Sequence, residues 1–164
     1  MEHKEDFYKM NVDLMQWHYD ELLEKHQVDV ISLLNMTAED IVDNSIDKYY
    51  ELKPSEGVVM MLLVEETVAG MLALTKLDDE TAELHRMWIR PEYRGRGLSK
   101  PLLSKVLDEG VKLGLSRCKL STPKFADAAH HLYGSAGFVE ICEYPETEVD
   151  PRLRQYWIYM EKKG

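Results

Sequence analysis

The stretch Glu83-Leu84-His85-Arg86-Met87-Trp88-Ile89-Arg90-Pro91-Glu92-Tyr93-Arg94-Gly95-Arg96-Gly97-Leu98-Ser99 decides the fold class. Glu83 to Ile89 is strand-like, a helix-like run begins near Leu98, and between them two arginines alternate with two glycines. Glycine lets the backbone turn with φ > 0 and lets a ligand approach closely. The unpaired N–H groups of the first helical turn supply donors and the positive end of the helix dipole. Arg94 to Ser99 therefore reads as an anion cradle, and a phosphate group is its most natural ligand. Pro101 agrees, because near a first turn its missing N–H is one the helix could not have paired.

Working outward, Leu98, Leu102, Leu103, Val106, Leu107 and Val111 mark one face of a helix that ends at Gly114. Ahead of the cradle, Val58 to Val64 and Val68 to Leu74 flank Glu65-Glu66-Thr67 and predict a hairpin. Asp78-Asp79-Glu80 makes a second turn into a third strand, Thr81 to Ile89, so a meander leads into the cradle. Arg117 to Thr122 reads as a strand and Phe125 to Ala136 as a helix closed by Gly137; Phe138 to Tyr144 and Arg154 to Met160 read as closing strands. In the first third, apolar residues recur at helical spacing from Phe7 to Leu23, and a capping box at Thr37 opens a second helix that stops before Pro54. Helices interrupt the sheet twice, so the expected class is mixed α/β.

The 164 residues are the size of one domain, and no apolar run approaches the ~20 residues that cross a bilayer. The charged start Met1-Glu2-His3-Lys4-Glu5-Asp6 lacks the apolar core of a secretory signal, so a cytoplasmic location is expected, with no membrane partner. Cys118 and Cys142 are too few for a disulfide framework or a metal cluster and are expected to be reduced core thiols; no metal is expected. The formal net charge is −10, unevenly spread: residues 1–56 carry fourteen acids and five bases, and residues 57–164 sixteen and fifteen. Residues 85–100 hold Arg86, Arg90, Arg94, Arg96 and Lys100 against Glu92 alone. A compact basic island on an acidic chain disfavours nucleic acid, which needs an extended positive surface, and suits a small phosphate ligand.

In this order of elements the chain resembles the Gcn5-related N-acetyltransferases, the GNAT superfamily, and among them small prokaryotic-type members of undefined acceptor. The resemblance rests on the Glu83–Ser99 block, similar to the acyl-CoA signature R/Q-x-x-G-x-G/A with its preceding strand. It rests also on Ala129-His130-His131-Leu132-Tyr133-Gly134-Ser135-Ala136-Gly137-Phe138, which looks like the A-x-x-L-Y-x-x-x-G-F block. Ser99 stands where the signature has glycine or alanine, Ala126 where many members carry asparagine, and no strand-like run precedes the first helix.

The resemblance implies a GNAT acyl-CoA N-acyltransferase fold: a mostly antiparallel sheet flanked by helices and splayed between the third strand and the Arg117–Thr122 strand. It implies one N-acetyltransferase domain over 1–164, with 1–56 a helical acceptor-side region, 57–144 an acetyl-CoA-binding core and 145–164 a closing strand. Acetyl-CoA is the implied co-substrate, its diphosphate on Arg94, Gly95, Arg96, Gly97, Leu98 and Ser99 and its pantetheine arm along Met87, Trp88 and Ile89. An amine acceptor, small molecule or peptide, would attack the thioester directly. Tyr133 is the implied general acid and cofactor neighbour, Glu83 the base, directly or through water, with His85 in reserve. Two further expectations concern the first third: its run of helix acids reads as a solvated face, with the lining of a pocket for a cationic amine as the alternative, while Trp17, Trp88, Tyr49 and Tyr50 serve packing. The closing strands are compatible with a homodimer. A non-catalytic acyl-CoA sensor of the same fold is the competing reading.

Overall fold

The apolar runs of the middle third alternate between two buried faces, and this fixes the architecture. The computed structural model describes residues Met1–Gly164. Strands β1 (Gly57–Val64), β2 (Thr67–Lys76) and β3 (Thr81–Ile89) form the expected antiparallel meander. Glu65 and Glu66 make the first turn with φ of 49° and 66°, the left-handed pair that a two-residue hairpin of this twist requires. Asp78 Oδ1 makes the second by accepting from the N–H groups of Glu80 and Thr81, each at 2.8 Å. Helix α5 (Ser99–Lys112), β4 (Arg117–Pro123), α6 (Asp127–Ser135), β5 (Val139–Ile141) and β6 (Trp157–Lys163) follow. The six strands lie in the order β1-β2-β3-β4-β6-β5, antiparallel except for β3 beside β4.

Strand β2 is buried on both sides. Leu72 and Leu74 point to α5 and α6, where Leu84, Leu102, Leu103, Val106, Leu120, Tyr133 and Phe138 complete one core. Met71 and Ala73 point the other way, to Phe7, Met10, Leu14, Val42, Ile46 and Tyr49 of the helical first third. A third cluster joins that region to the C-terminal segment through Tyr19, Leu22, Val30, Tyr144, Leu153 and Trp157.

The first third contains four helices rather than two: α1 (Lys4–His26), α2 (Val30–Leu34), α3 (Ala38–Asp43) and α4 (Asp47–Tyr50). Thr37 does open α3 with a complete capping box to Asp40. The expected long second helix breaks because the Ser45 hydroxyl donates back to the Ile41 carbonyl at 2.7 Å, a local bond that competes with helix propagation. Gln27 and Asn35 end α1 and α2 in left-handed conformations. At the other end, Arg154–Tyr156 forms a short 3-10 turn and strand pairing begins only at Trp157, while β5 is three residues long, not seven. Cys118 is buried as expected, whereas Cys142, just past that shortened strand, is exposed.

Gly70 locks the meander to the strand that leads into the cradle. A Cβ there would lie 2.6 Å from Ile89 Cδ1 and 2.8 Å from the Trp88 carbonyl oxygen, so β2 and β3 could not stay paired without a backbone shift. Gly70→Ala is expected to lower stability by about 1–3 kcal/mol, read as a lower urea midpoint. An unchanged midpoint would show that β3 is not clamped at this point.

Candidate active site

Strand β3 pairs with β4 only from Thr81–Leu84 against Arg117–Leu120; beyond Leu84 the two separate, although β4 stays paired with β6 to Pro123. The separation coincides with a bulge, since Ala73 faces His85 but Met71 faces Trp88, and Arg86 between them adopts φ 60°. A cavity of about 790 Å³ fills the wedge. Met87, Trp88, Ile89, Arg94, Gly95, Gly97, Leu98, Ser99 and Tyr133 all line it, so the two sequence blocks meet on one wall. Arg96 does not line it: its Nη2 donates to the Glu92 carbonyl at 3.2 Å and its guanidinium stacks over Tyr93.

The cradle has the anticipated geometry. Gly95 and Gly97 adopt φ of 75° and 70° with open space where a Cβ would stand. No side chain caps the start of α5, which leaves its first N–H groups to a ligand. Arg94 Nε donates to the Ile89 carbonyl at 2.9 Å, and its guanidinium lies 4.5 Å from the centre of the Trp88 ring, so this positive charge is fixed against β3 rather than free in solvent.

On the opposite side of the sheet stands a set of buried polar groups. Glu83 is 2% exposed and accepts a 2.6 Å hydrogen bond from the Tyr144 hydroxyl. Burial pushes its carboxyl up to about 7, against the opposing pull of the Tyr144 bond and of Lys48. Glu83 is not on the cavity wall; His85 is, and joins the two. His85 Nε2 lies 2.8 Å from Thr75 Oγ1 and 3.4 Å from Glu83 Oε2, and its Nδ1 is 3.4 Å from Glu148 Oε2. Burial, with Lys48 and Arg86 nearby, holds this imidazole neutral, well below its ordinary range. Glu148 pairs with Lys48 as well. Tyr133 is on the wall with its ring against Phe138, and burial raises its hydroxyl so that it stays protonated.

Residues 1–56 contribute Leu14, Met15, Trp17, His18, Tyr19, Leu22, Leu34, Met36 and Ile41 to the wall, and no acid. The solvated-face reading of these acids holds, and the alternative of an acid-lined pocket does not: α1 turns its apolar stripe inward and leaves Asp13, Asp20 and Glu24 exposed. Trp17 and Trp88 are wall residues and not only packing. His18, Arg86, Phe125 and Glu148 were not singled out as site residues from sequence. They come from four distant segments, and only Arg86, a charge inside an apolar strand run, carried a local signal.

The description "Acetyltransferase (GNAT) family" belongs to the family model that matches residues 13–138. The "N-acetylaspartate synthetase" of Danio rerio is 33% identical over 99 residues, 60% of this chain and 35% of that protein. The "Uncharacterized N-acetyltransferase YjgM" of Escherichia coli is 30% identical over 105 residues, 62% of this chain and 63% of that protein. The match thus spans about a third of the first relative and under two thirds of the second. Among solved structures, the Thermoplasma acidophilum PaiA N-acetyltransferase in complex with coenzyme A superposes with a TM-score of 0.66 at 19% identity, over 98% of this chain and 92% of that one. That likeness is one of overall fold.

Glu83 also makes stability depend on pH. Its carboxyl titrates near 4.5 in an ordinary setting and at about 7 in the fold, so the folded state holds the proton more tightly. The associated stabilisation is complete below pH 4.5 and is lost as pH rises through 7, by on the order of 3 kcal/mol. Glu83→Gln is expected to flatten this decline in urea unfolding measured from pH 5 to 8. A variant with the slope of the parent would remove Glu83 as its source.

Proposed function

Because the chain belongs to the acetyltransferase (GNAT) family, we propose that it transfers the acetyl group of acetyl-CoA to a primary amine by direct attack, the whole of 1–164 acting as one domain. The observation that carries this reading is the single cavity shared by the open amides at the start of α5, the unpaired edge of β3 and Tyr133. The coenzyme A complex of the Thermoplasma acidophilum neighbour supports the choice of ligand.

The diphosphate accepts from main-chain N–H groups between Gly95 and Ser99, with Arg94 adding charge. Beyond Leu84 the edge of β3 that faces β4 has no partner strand, so the pantetheine arm pairs along Met87, Trp88 and Ile89 as an added strand would. An N–H at Met87 or Ile89 then meets the carbonyl oxygen as it becomes an oxyanion.

An acceptor amine of ordinary pKa, about 10.4, arrives protonated at neutral pH. Glu83, near 7, takes that proton through neutral His85, whose Nε2 is the nitrogen near Glu83, leaving Nδ1 for the amine. The amine nitrogen forms the C–N bond, the tetrahedral intermediate collapses with rupture of the C–S bond, and Tyr133 gives its proton to the departing thiolate; the second proton, shed by the nitrogen as it becomes an amide, restores Tyr133 through solvent, and the net product proton leaves from Glu83. Burial that keeps Tyr133 protonated suits a donor. Residues 1–56 close the acceptor side.

Tyr133→Phe is expected to lower kcat by roughly 100-fold with acetyl-CoA affinity within a few-fold of the parent, measured by thiol release and calorimetry. Unchanged kcat across pH would take Tyr133 out of the reaction. The kcat/KM profile is expected to rise with pH through about 7, since only ionised Glu83 accepts a proton, and Tyr144→Phe moves that limb upward by removing the bond that favours the carboxylate.

Gly97→Val should abolish the heat of acetyl-CoA binding, because it puts a branched side chain at φ 70° and in the space assigned to phosphate. Binding of acetyl-CoA by the parent without thiol release on any amine would instead support the sensor reading.

A further inference from the structure

Acetyl transfer as proposed above leaves Arg86 without a task, and the role assigned to Arg86 below rests on that reaction. Arg86 lines the cavity, yet its side chain is only 7% exposed. Its Nε donates to the Tyr49 hydroxyl at 3.3 Å, and its Nη2 donates to Ser45 Oγ at 3.1 Å and lies 3.8 Å from Glu148 Oε2. Nη1 is buried with no partner. A charged donor so placed is costly unless something accepts from it, and buried donors in folded proteins are almost always satisfied. The backbone has also been bent to put it there, with φ 60° at a bulge, a conformation that an arginine adopts only when its surroundings impose it.

The charges around it do not balance. Glu148 is the one carboxylate near Arg86, and it also pairs with Lys48 and faces His85. Glu83 is committed to Tyr144 and His85. Asp150, on the same wall, accepts from Arg152 Nε and Nη2 at 2.9 Å each. Lys48 is drawn to Glu148 and also to Glu83, while Arg86 has Glu148 alone within ion-pair distance and shares it, so Nη1 is left without an acceptor. The rest of the acceptor side is apolar, supplied by Leu14, Trp17, Leu22, Met36 and Ile41.

We propose that the acceptor is an α-amino acid with a large apolar side chain, its carboxylate bound by Arg86 Nη1 and its side chain held against α1 and the segment that follows it. Arg86 and Met87–Ile89 line the same cavity. In an α-amino acid the amine and the carboxylate share one carbon, so a carboxylate on Arg86 brings the nitrogen beside the thioester position on Met87–Ile89. The ammonium first loses one proton through His85 toward Glu83; the nitrogen then forms the new C–N bond, the C–S bond breaks, the thiolate takes the Tyr133 proton, and the nitrogen's second proton restores Tyr133 through solvent, so the products are an N-acetyl amino acid, coenzyme A and one proton. A polyamine fits poorly, because it would add positive charge beside Arg86 and Lys48, whose shared carboxylate Glu148 already pairs with both.

The test compares matched acceptors on the parent protein by thiol release: L-leucine with 3-methylbutylamine and leucinamide, L-phenylalanine with 2-phenylethylamine, then L-aspartate and spermidine. The amino acids are expected to exceed their decarboxylated partners by roughly 100-fold or more in kcat/KM, since a site built to pair a charged group discriminates strongly against its loss. Arg86→Met should raise KM for the amino acids by a comparable factor, close the gap to the simple amines and leave acetyl-CoA binding unaltered; Arg86→Lys should restore part of the preference. Because Arg86 packs on Tyr49, the comparison on the parent decides even if a variant fails to fold. Equal use of 3-methylbutylamine, or a preference for spermidine or for aspartate over leucine, overturns the proposal. No turnover of any amino acid while acetyl-CoA still gives a heat of binding overturns it and leaves the cofactor site standing. Absence of acetyl-CoA binding overturns the acetyl-transfer reading itself.

Discussion

Strand β3 holds two neighbours as far as Leu84 and only one beyond it, and the site follows from that change. The cause is one extra residue. Between Ala73 opposite His85 and Met71 opposite Trp88, β2 advances two residues while β3 advances three. The bulge reverses which side chains face which way: Glu83 and His85 share the face of the helical first third, but after Arg86 it is Trp88 that packs there, while Met87 and Ile89 join Leu84 on the face of α5 and α6. The same bend carries β3 away from β4, which remains paired with β6. Backbone groups left unpaired in this way are costly inside a protein, which is why such an edge accepts an extended ligand.

The face of the sheet beneath the helical first third shows the opposite arrangement, with polar groups buried more completely than stability alone would favour. Glu83, His85 and Arg86 belong to one strand and its bulge, and each is under a tenth exposed. Replacing such a cluster by apolar side chains is often neutral or stabilising, so its retention points to a role in chemistry or recognition. Two different environments divide the labour. Glu83 is surrounded well enough to sit near neutrality, where a carboxyl can exchange a proton. Arg86, always charged, is held by two hydroxyls and a distant carboxylate that leave one nitrogen unspent.

The sequence made some of this legible and hid the rest for definite reasons. The cradle could be read because its chemistry is local: two glycines, a helix start and a proline within eight residues fix the backbone whatever surrounds it. The splay between β3 and the Arg117–Thr122 strand came from family resemblance, and the pairing bears it out, ending at Leu84. The bulge itself could not be placed, since the polar pair His85-Arg86 and the apolar run Met87-Trp88-Ile89 break the alternation without saying whether an extra residue or a strand buried on both faces is the cause. Glu148 could not be found because it reaches Arg86 and His85 from more than sixty positions away through a C-terminal segment without regular structure. The acids of α1 follow the solvent face that a helical run of charge usually marks, while the cavity meets only the other face. Arg96 satisfies the spacing of the motif, and its guanidinium lies over Tyr93 with Nη2 on the Glu92 carbonyl.

Helix α1 connects the core of the sheet to the acceptor side of the cavity. Its 23 residues extend about 35 Å at 1.5 Å per residue, long enough to cover both. The first half, with Phe7, Met10 and Leu14, packs on Met71, Ala73 and Trp88, where β2 and β3 are still paired. The second half, with Trp17, His18, Tyr19 and Leu22, passes over the wedge where β3 and β4 have parted, so side chains at the same helical spacing become cavity wall. Which residues of α1 are core and which are pocket is therefore decided by the sheet beneath, not by α1. Phe7 and Met10 serve the core alone, whereas Leu14, Tyr19 and Leu22 belong both to a core cluster and to the cavity wall, so substitutions there act on the stability of the fold and on the shape of the pocket together. An apolar helix face laid across an opened sheet thus makes one set of side chains serve scaffold and pocket, with the charge of Arg86 fixed at the bulge beneath.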